Sequence, residues 1–337
     1  MIKYITPVRP AAASGMVGEV FQQIKGDFGA VVAPFSVHSI SPRLLAAVWG
    51  ACRESQLAGT VPREIKEAVA VAVSKLNNCP FCVDAHSIML GAMQAHCVAH
   101  ALNHNRPDQL PERTRAIVEW AASTGQLRSE SLPLPFSAEE APEIIGTTLF
   151  YHYMNRIAII LLNDTPLPSS RRWLKGALSR IASWYFSIAA RRVKVPGASL
   201  ALLPHAELPQ DLAWAAANER LAGAWARFAH EVERLGQAAL PAETMKFASE
   251  VIQKWEGGEL RISRGAVEEA IQRLRPDERS CGRLVLLTAL APHDVDEKII
   301  RDFADPASEP EKLLGALSWA SFSAARRIGS WLHVGGC

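Results

Sequence analysis

Apolar residues recur along nearly the whole chain with the three-to-four-residue spacing of amphipathic helices. Such segments are found from residue 17 to residue 327, whereas runs that alternate strictly between apolar and polar residues are almost absent. A clear case is residues 63–76, a helical run that begins after Pro62 and ends at Asn77 and Asn78. The pattern predicts an all-α fold.

The most apolar stretch, residues 144–162, is interrupted by His152, Asn155 and Arg156. It therefore falls short of the roughly 20 apolar residues that a bilayer-spanning helix needs, and it predicts a buried helix. Its polar positions have two interpretations. They line a substrate pocket, or they satisfy one another in a helix interface; the residues concerned are Tyr151, His152, Tyr153, Asn155 and Arg156.

Residues 77–82, NNCPFC, place a Cys-x-x-Cys pair at the predicted start of a helix. Because proline favours the first helical position, Cys79 is the predicted N-cap and Cys82 the third helical residue. Free amides and the positive end of the helix dipole favour a thiolate there, so we expect Cys82 to titrate below the usual value of about 8.5 and to be the nucleophile. His86 lies one turn later on the same face and can take its proton.

Glu67 supplies a carboxylate to this site if the two predicted helices form a hairpin. With a rise of about 1.5 Å per residue, Glu67 is roughly 14 Å from the end of its helix and His86 roughly 9 Å from the start of the next. Glu67 should therefore meet His86 rather than Cys79. A carboxylate on the far imidazole nitrogen strengthens the base, which predicts a proton relay of Glu67, His86 and Cys82, with Cys79 as the resolving thiol.

The spacing of these four residues, E-x11-C-x2-C-x3-H, resembles that of the AhpD-like alkylhydroperoxidase family, a branch of the carboxymuconolactone decarboxylase superfamily. Further similar segments are FG at 28–29, PRLLAAVW at 42–49, PEIIG at 142–146 and YMNR at 153–156. The resemblance covers roughly residues 1–165 and implies an all-α fold and the reduction of organic hydroperoxides.

The same resemblance implies roles for the two cysteines. Cys82 attacks the peroxide and becomes a sulfenic acid, after which Cys79 supplies a proton and closes the disulfide. No bound cofactor is required, and electrons return from an external dithiol such as a lipoyl protein. Phe81 is a departure, because the best-studied peroxidases of the family have a histidine at this position; their rate is therefore not carried over.

The same residues also allow metal-binding interpretations. Cys79, Cys82 and His86 could be three zinc ligands with a fourth from Glu67 or His96, but the sequence has no second Cys-x-x-Cys and no histidine pair at zinc-finger spacing. An inert buried pair is a further alternative. The helical stripe of His96, His100 and His104 could also hold a metal, although a solvated or core-edge stripe is favoured. Redox chemistry remains the prediction, with no metal.

Short patterns of the first half return in the same order in the second half. LAAVW at 45–49 is echoed by LAGAW at 221–225, PER at 111–113 by PDER at 276–279, and NRI at 155–157 by RRI at 326–328. We therefore predict a tandem duplication: a catalytic domain over 1–165, a basic amphipathic linker over 166–204, and a degenerate second domain over 205–337. Lys246 takes the place of Glu67, and residues 254–263 contain no cysteine, so the second copy is expected to be catalytically dead.

The predicted linker alternates basic and aromatic residues at helical spacing, including Arg180, Arg191, Trp184, Tyr185 and Phe186. One interpretation is an amphipathic helix on an anionic membrane surface or an acidic partner. The other, which the sequence favours, is a linker helix that packs its aromatic side on the bundle and leaves its basic side in solvent.

Composition narrows the setting. The 337 residues, 49% of them hydrophobic, are enough for two domains with sizeable cores. A formal net charge of +2 gives no indication of nucleic-acid binding. The six cysteines, which are scattered apart from the Cys79–Cys82 pair, fit a reducing compartment, and the first residues lack the features of a signal peptide. We therefore expect a cytoplasmic protein.

The sequence thus predicts a peroxidase-like thiol oxidoreductase. A homo-oligomer is expected, although in a tandem chain the second copy already covers one face of the first. Two other classes stay open. A cofactor-free lyase like the decarboxylase branch would use acid–base residues and survive Cys82→Ser. A redox-sensing or partner-binding protein would form the disulfide without turnover.

Overall fold

The computed structural model describes residues 2–127, 134–167, 172–257 and 264–332, and for residues 172–175 the backbone alone. Over these ranges the regular structure is helical, with two isolated bridges, Ile2 to Leu162 and Gln126 to Gly257. The prediction of an all-α fold is confirmed. The α-helices are α1 (Gly15–Phe28), α2 (Ala33–Ser36), α3 (Pro42–Cys52), α4 (Arg63–Leu76), α5 (Pro80–Ala92), α6 (His96–Asn103), α7 (Glu112–Ser123), α8 (Ala141–Leu161), α9 (Arg172–Arg191), α10 (Glu219–Ala239), α11 (Ala242–Lys254), α12 (Arg264–Ala270), α13 (Arg279–Leu290), α14 (Glu297–Phe303) and α15 (Pro310–Gly329).

Proline starts many of these helices, as expected for a residue whose ring fixes a helical φ and lacks the N–H that a first turn leaves unpaired. Pro42, Pro80 and Pro310 are first helical residues, and Pro62 and Pro241 directly precede α4 and α11. The bounds of α4 agree with the predicted run over 63–76.

Helix α8 lies at the centre of the molecule and is buried along almost its entire length, as its apolar sequence predicts. It packs against α4 on one side and against α15 on another. Within the described residues no helix is both long and apolar enough to cross a membrane. The helix is therefore a core element between the two halves of the chain.

The two halves share one continuous core. Tyr153 on α8 meets Phe228 on α10 edge-on at 5.0 Å between ring centroids, and Phe228 lies 4.5 Å from Phe322 on α15. Arg43 on α3 donates from Nε to Oε1 of Glu231 on α10 at 2.9 Å. Helices of the two halves therefore pack directly on each other, α3 on α10 and α8 on α15.

Helix lengths repeat between the halves as well. The residue counts are 14 for α4 and 13 for α11, 12 for both α7 and α13, and 21 for α8 and 20 for α15. These lengths fit a tandem duplication, which stays a prediction together with its boundaries. Lys246 is exposed on α11, and residues 258–263 of the segment that lacks cysteine lie outside the described residues.

A buried ionic cluster connects α4 to α8 in the first half of the chain. Lys66 donates to Oε2 of Glu143 at 2.8 Å and to the carbonyl of Ala58 at 2.8 Å. The same carboxylate accepts from the backbone amides of Thr60 at 2.9 Å and Val61 at 3.2 Å. A buried charge is tolerated only when paired and hydrogen-bonded in this way.

Helix α9, from the predicted linker, packs along α5, the helix of the cysteine pair. Ser183 donates to the carbonyl of Ile88 at 2.9 Å, and Arg63 on α4 donates to the carbonyl of Ala190 at 3.2 Å. The expected burial of the aromatic side is correct for Phe186, which packs on the core, but wrong for Trp184 and Tyr185, which are exposed. Each helix has only one side to bury, and the packed side of α9 is formed mostly by small residues.

Candidate active site

The cysteine pair lies at the beginning of α5, as the sequence predicts. Cys79 is the N-cap and Pro80 the first helical residue, and Asn78 before them has a left-handed φ of 51° that turns the chain sharply out of α4. The Sγ atoms of Cys79 and Cys82 are 2.8 Å apart, with Cys79 donating to Cys82. Since a disulfide bond is about 2.05 Å long, the two sulfurs need only a small movement to join.

Burial changes the expected acidity of Cys82. The side chain is 2% exposed. Desolvation by burial, followed by the hydrogen bond and charge of Cys79, raises the pKa of the Cys82 thiol well above its usual value. The prediction of a pKa below the free-cysteine value is therefore wrong for this state: the helix N-terminus favours a thiolate, but removal from water disfavours it more strongly. Cys82 rests as a thiol and needs a base.

Two polar side chains on neighbouring helices oppose this effect. Hydrogen bonds from Asn155 on α8 and Ser74 on α4 lower the pKa of Cys82, although less than burial raises it. Asn155 donates to Ser74 Oγ at 3.1 Å and accepts from Asn77 Nδ2 at 2.9 Å. Ser74 gave no signal in the sequence, because a serine inside an apolar helix has no spacing that points to a cysteine on another helix.

Glu67 and His86 are brought together across the α4–α5 hairpin. Oε2 of Glu67 lies 2.6 Å from Nδ1 of His86, the contact that the helix-depth argument predicts. The other oxygen accepts from Arg63 Nε at 3.1 Å. Burial would raise the pKa of Glu67, but the hydrogen bond and charge of His86, together with Arg63, outweigh burial and lower the pKa. Glu67 is therefore a buried carboxylate at neutral pH.

The Nε2 atom of His86 is left for proton exchange, since Nδ1 is taken by Glu67. Cys82 and His86 both face one cavity, although within the described residues no direct hydrogen bond joins them. The rings of Tyr151 on α8 and His86 pack edge to face, with 4.5 Å between their centroids. Its hydroxyl donates to Oε1 of Gln56 at 2.6 Å, in a π-helical turn, Arg53–Leu57, that continues α3.

The cavity has a volume of about 710 Å³ and lies between α2, α5, α8 and α9. Its polar lining residues are few: Cys82, His86, Tyr151, Asn163 and Thr165. Most of the wall is apolar, and its largest side chains are Phe28, Phe35, Phe81, Phe150, Met154 and Phe186. Such a space suits a ligand with a hydrocarbon body and one reactive polar end.

Some of the polar residues of α8 face the active site, and others lie in helix interfaces. Tyr151 faces the cavity and Asn155 the cysteines, whereas the other three contact helices of the interface. His152 lies between Asn77 and Thr124, with Thr124 Oγ1 2.9 Å from Nε2. Tyr153 lies 2.8 Å from His38 Nε2, and Arg156 donates to the carbonyl of Ala289 at 2.8 Å.

No group of three or more His, Cys, Asp or Glu side chains in the described ranges has the arrangement of a metal site. Of the histidine stripe, His100 and His104 stack on each other at 4.2 Å between ring centroids, and His104 Nδ1 lies 2.9 Å from the carbonyl of His100. The zinc interpretation of Cys79, Cys82, His86 and Glu67 therefore gains no support from the geometry.

Comparisons with known proteins place this geometry in context. No protein-family model matches the chain. Alkyl hydroperoxide reductase Rv2159c of Mycobacterium tuberculosis is 35% identical to it over 331 residues, which are 98% of this chain and 95% of that protein. Among solved structures, the alkylhydroperoxidase AhpD core of an uncharacterized peroxidase-related protein from Ralstonia eutropha JMP134 matches 52% of this chain and 96% of its own, with a TM-score of 0.44 and 20% identity.

Proposed function

Because the chain belongs to the AhpD-like family of alkyl hydroperoxide reductases, we propose that it is a thiol-dependent peroxidase that reduces organic hydroperoxides through Cys82 and Cys79. One observation carries the proposal. Cys82 and His86 line the same cavity, the sulfur of Cys82 lies 2.8 Å from that of Cys79, and Nδ1 of His86 is held by the buried carboxylate of Glu67. The nucleophile and the base thus face one cavity, and the resolving thiol and the orienting carboxylate are in contact with them.

The first step needs a thiolate. His86 takes the proton of Cys82 through Nε2, either by way of a water molecule or when substrate has filled the cavity, since catalytic hydrogen bonds often shorten only in the complex. Glu67 stabilises the imidazolium that results, as a carboxylate does for the histidine of other nucleophile–base pairs. Asn155 and Ser74 stabilise the thiolate.

The thiolate of Cys82 then attacks the terminal oxygen of the hydroperoxide. The O–O bond breaks, the alkoxide leaves with a proton from the imidazolium of His86, and Cys82 becomes a sulfenic acid. Sulfur has been oxidised by two electrons and the peroxide reduced to an alcohol. The proton that His86 accepted at the start is thereby returned.

Cys79 completes the oxidative half of the cycle. Its sulfur attacks that of the sulfenic acid, an S–S bond forms, and water leaves with the proton of the Cys79 thiol. An external dithiol, of which a lipoyl protein is one example, returns two electrons by thiol–disulfide exchange. Both cysteines are buried, so the reductant has to reach them through the cavity or through a local opening of α5.

A direct test is to add one equivalent of cumene hydroperoxide to the reduced protein and follow thiol loss, with disulfide mapping by peptide mass spectrometry. Loss of two thiols with a Cys79–Cys82 link is expected. Cys82→Ser should lose no thiol rapidly. Cys79→Ser should instead hold a sulfenic acid on Cys82 that dimedone traps.

The exposed Cys97 provides the matched control, because Cys97→Ser removes a thiol without touching the site and should react like the wild type. Persistence of all thiols would reject the peroxidase. A disulfide that forms without turnover in the presence of dihydrolipoamide would favour a redox sensor. A lyase, in contrast, would keep its activity in Cys82→Ser.

A further inference from the structure

Helix α9 carries an apolar face that no described part of the chain covers. Ile181, Trp184, Tyr185 and Ile188 are 63%, 77%, 56% and 70% exposed, and their spacing of three and four residues puts them on one side of the helix. Val193 and Val195, just after the end of the helix, are 97% and 71% exposed. We call these six residues the outer α9 face.

Exposed apolar residues of this size are concentrated here rather than scattered. Among the described residues, Leu127 is the only other large apolar side chain of comparable exposure. Single exposed apolar residues are normal on a protein surface, whereas a contiguous patch marks an interaction site.

The charged residues of α9 and of the segments on either side of it are all basic. Arg180, Arg191 and Arg192 are exposed on and directly after α9, and the sequence has no aspartate or glutamate from residue 165 to residue 206. This segment holds seven of the 36 basic residues of the chain, so the remainder has 29 basic residues against 34 acidic ones. A partner for this surface is therefore anionic as well as apolar.

We propose that the outer α9 face docks on the surface of an anionic lipid bilayer, with α9 lying parallel to it. Tryptophan and tyrosine prefer the boundary between headgroups and acyl chains, and aliphatic residues beside them reach just below it. Arginines at the edge of such a face pair with anionic headgroups. The sequence favours a linker helix that packs its aromatic side on the bundle, but the structure leaves Trp184 and Tyr185 exposed on the side that a bilayer would cover.

The opposite side of α9 forms part of the cavity wall, through Ala182 and Phe186. A single helix, about 10 Å across, therefore separates the docked surface from the space that holds Cys82 and His86. Resting on the proposed function, this juxtaposition identifies the substrate class as acyl-chain hydroperoxides of membrane lipids. The apolar wall would receive the chain, and the hydroperoxide would lie beside Cys82.

Vesicle flotation tests the docking independently of peroxidase activity. The full-length protein is floated with vesicles of phosphatidylcholine alone and with vesicles containing phosphatidylglycerol. Binding is expected to the anionic vesicles only, and to weaken as salt is raised. The double variant Trp184→Ser and Ile188→Ser should abolish it. Arg180→Gln with Arg192→Gln should weaken it about 25-fold, since each basic residue near an anionic surface accounts for about five-fold.

Matched controls come from the rest of the surface. Leu127→Ser removes an exposed apolar side chain away from α9. Lys298→Gln with Arg301→Gln removes two positive charges from α14, as many as the arginine variant removes near α9. Both control variants should bind like the wild type. The proposal is overturned if the wild type does not float, if the variants of the outer α9 face float equally well, or if sedimentation shows a dimer that Trp184→Ser with Ile188→Ser dissociates.

Turnover assays separate this inference from the proposed function. The docking variants should reduce cumene hydroperoxide in solution at the wild-type rate, but reduce phospholipid hydroperoxide in anionic vesicles at least about ten-fold more slowly. Flotation without any peroxidase activity would reject the function and leave docking intact. Equal rates on vesicles for wild type and variants would reject the lipid substrate.

Discussion

The Oε2 atom of Glu67 lies 2.6 Å from Nδ1 of His86, and no part of the Glu67 side chain is exposed to solvent. This pairing fixes which imidazole nitrogen is free, because Nδ1 is committed to the carboxylate. It also places a negative charge beside the imidazolium, which would otherwise be unpaired in an apolar cavity. The proposed relay depends on both effects, so it can be tested through Glu67 alone.

Glu67→Gln should slow the reaction of Cys82 with cumene hydroperoxide about 100-fold, because a neutral amide can hold the ring but does not stabilise its charged form. The second-order rate constant of thiol oxidation is measured between pH 6 and 9. Glu64→Gln, on the same helix, is the matched control and should change the rate little. A rate for Glu67→Gln within a factor of two of the wild type would contradict the relay.

Asn155→Ala should move the reactivity of Cys82 to higher pH. Burial raises the pKa of this thiol and the Asn155 hydrogen bond lowers it, so removal of the amide leaves the rise less opposed. Hydrogen bonds to charged groups contribute about 1.5–3 kcal/mol, and alkylation at pH 7 should slow by about ten-fold or more. The pH profile of iodoacetamide labelling at Cys82, read by mass spectrometry, measures the shift.

Thr148→Ala serves as the control for that profile, since Thr148 is buried on the same helix and its hydroxyl donates only to the carbonyl of Ile144, at 2.9 Å. Its labelling profile should match the wild type. If Asn155→Ala and Thr148→Ala labelled alike, the proposed role of Asn155 at the thiolate would be wrong.

Gly59→Ala should destabilise the fold by about 3 kcal/mol or more, the cost of breaking a buried ion pair. Gly59 has a φ of 115°, and a Cβ there would overlap the carboxylate of Glu143 that pairs with Lys66. Gly26→Ala is the matched control, because nothing lies within 4 Å of its added Cβ; within α1 it should stabilise by up to about 1 kcal/mol. Urea denaturation distinguishes the two, and equal midpoints would contradict the expectation.

His38 should make the protein less stable in mild acid. Burial lowers its pKa to about 4, whereas the unfolded chain protonates it near 6.5. Between these values the unfolded state binds the extra proton, so the free energy of unfolding falls as pH falls, by about 3 kcal/mol over the whole window. His38→Gln should show a correspondingly weaker loss of stability between pH 7 and pH 4.5, measured by urea unfolding.

The comparison is made between variants because lowered carboxylate pKa values, such as that of Glu67, change stability in the same direction as acid is added. Those carboxylates are common to His38→Gln and the wild type. The exposed His104, changed to Gln, should leave the pH slope as it is. An unchanged slope in His38→Gln would show that this residue is not the source.

Local features of the active site were predictable because they depend on neighbours in the chain. Proline at position 80 determines where α5 begins, hence where Cys79 and Cys82 lie on it, and helix rise determines the depths at which Glu67 and His86 meet. The acidity of Cys82 was not predictable in the same way. A helix dipole is a local property, but burial depends on what the remaining helices cover.

The sequence by itself determined the all-α fold, the helix boundaries around the cysteine pair and the pairing of Glu67 with His86, since each follows from spacing within one hairpin. Only the tertiary structure decided that Asn155 and Ser74 hydrogen-bond to the thiol of Cys82. It also decided that Tyr151 faces His86 while Tyr153 faces the second half of the chain. Helix α9 lines the cavity with one side and leaves another exposed for the same reason. Periodicity states that a helix has an apolar side. Which neighbour covers that side, and therefore which polar groups lose water, is settled only when distant segments pack.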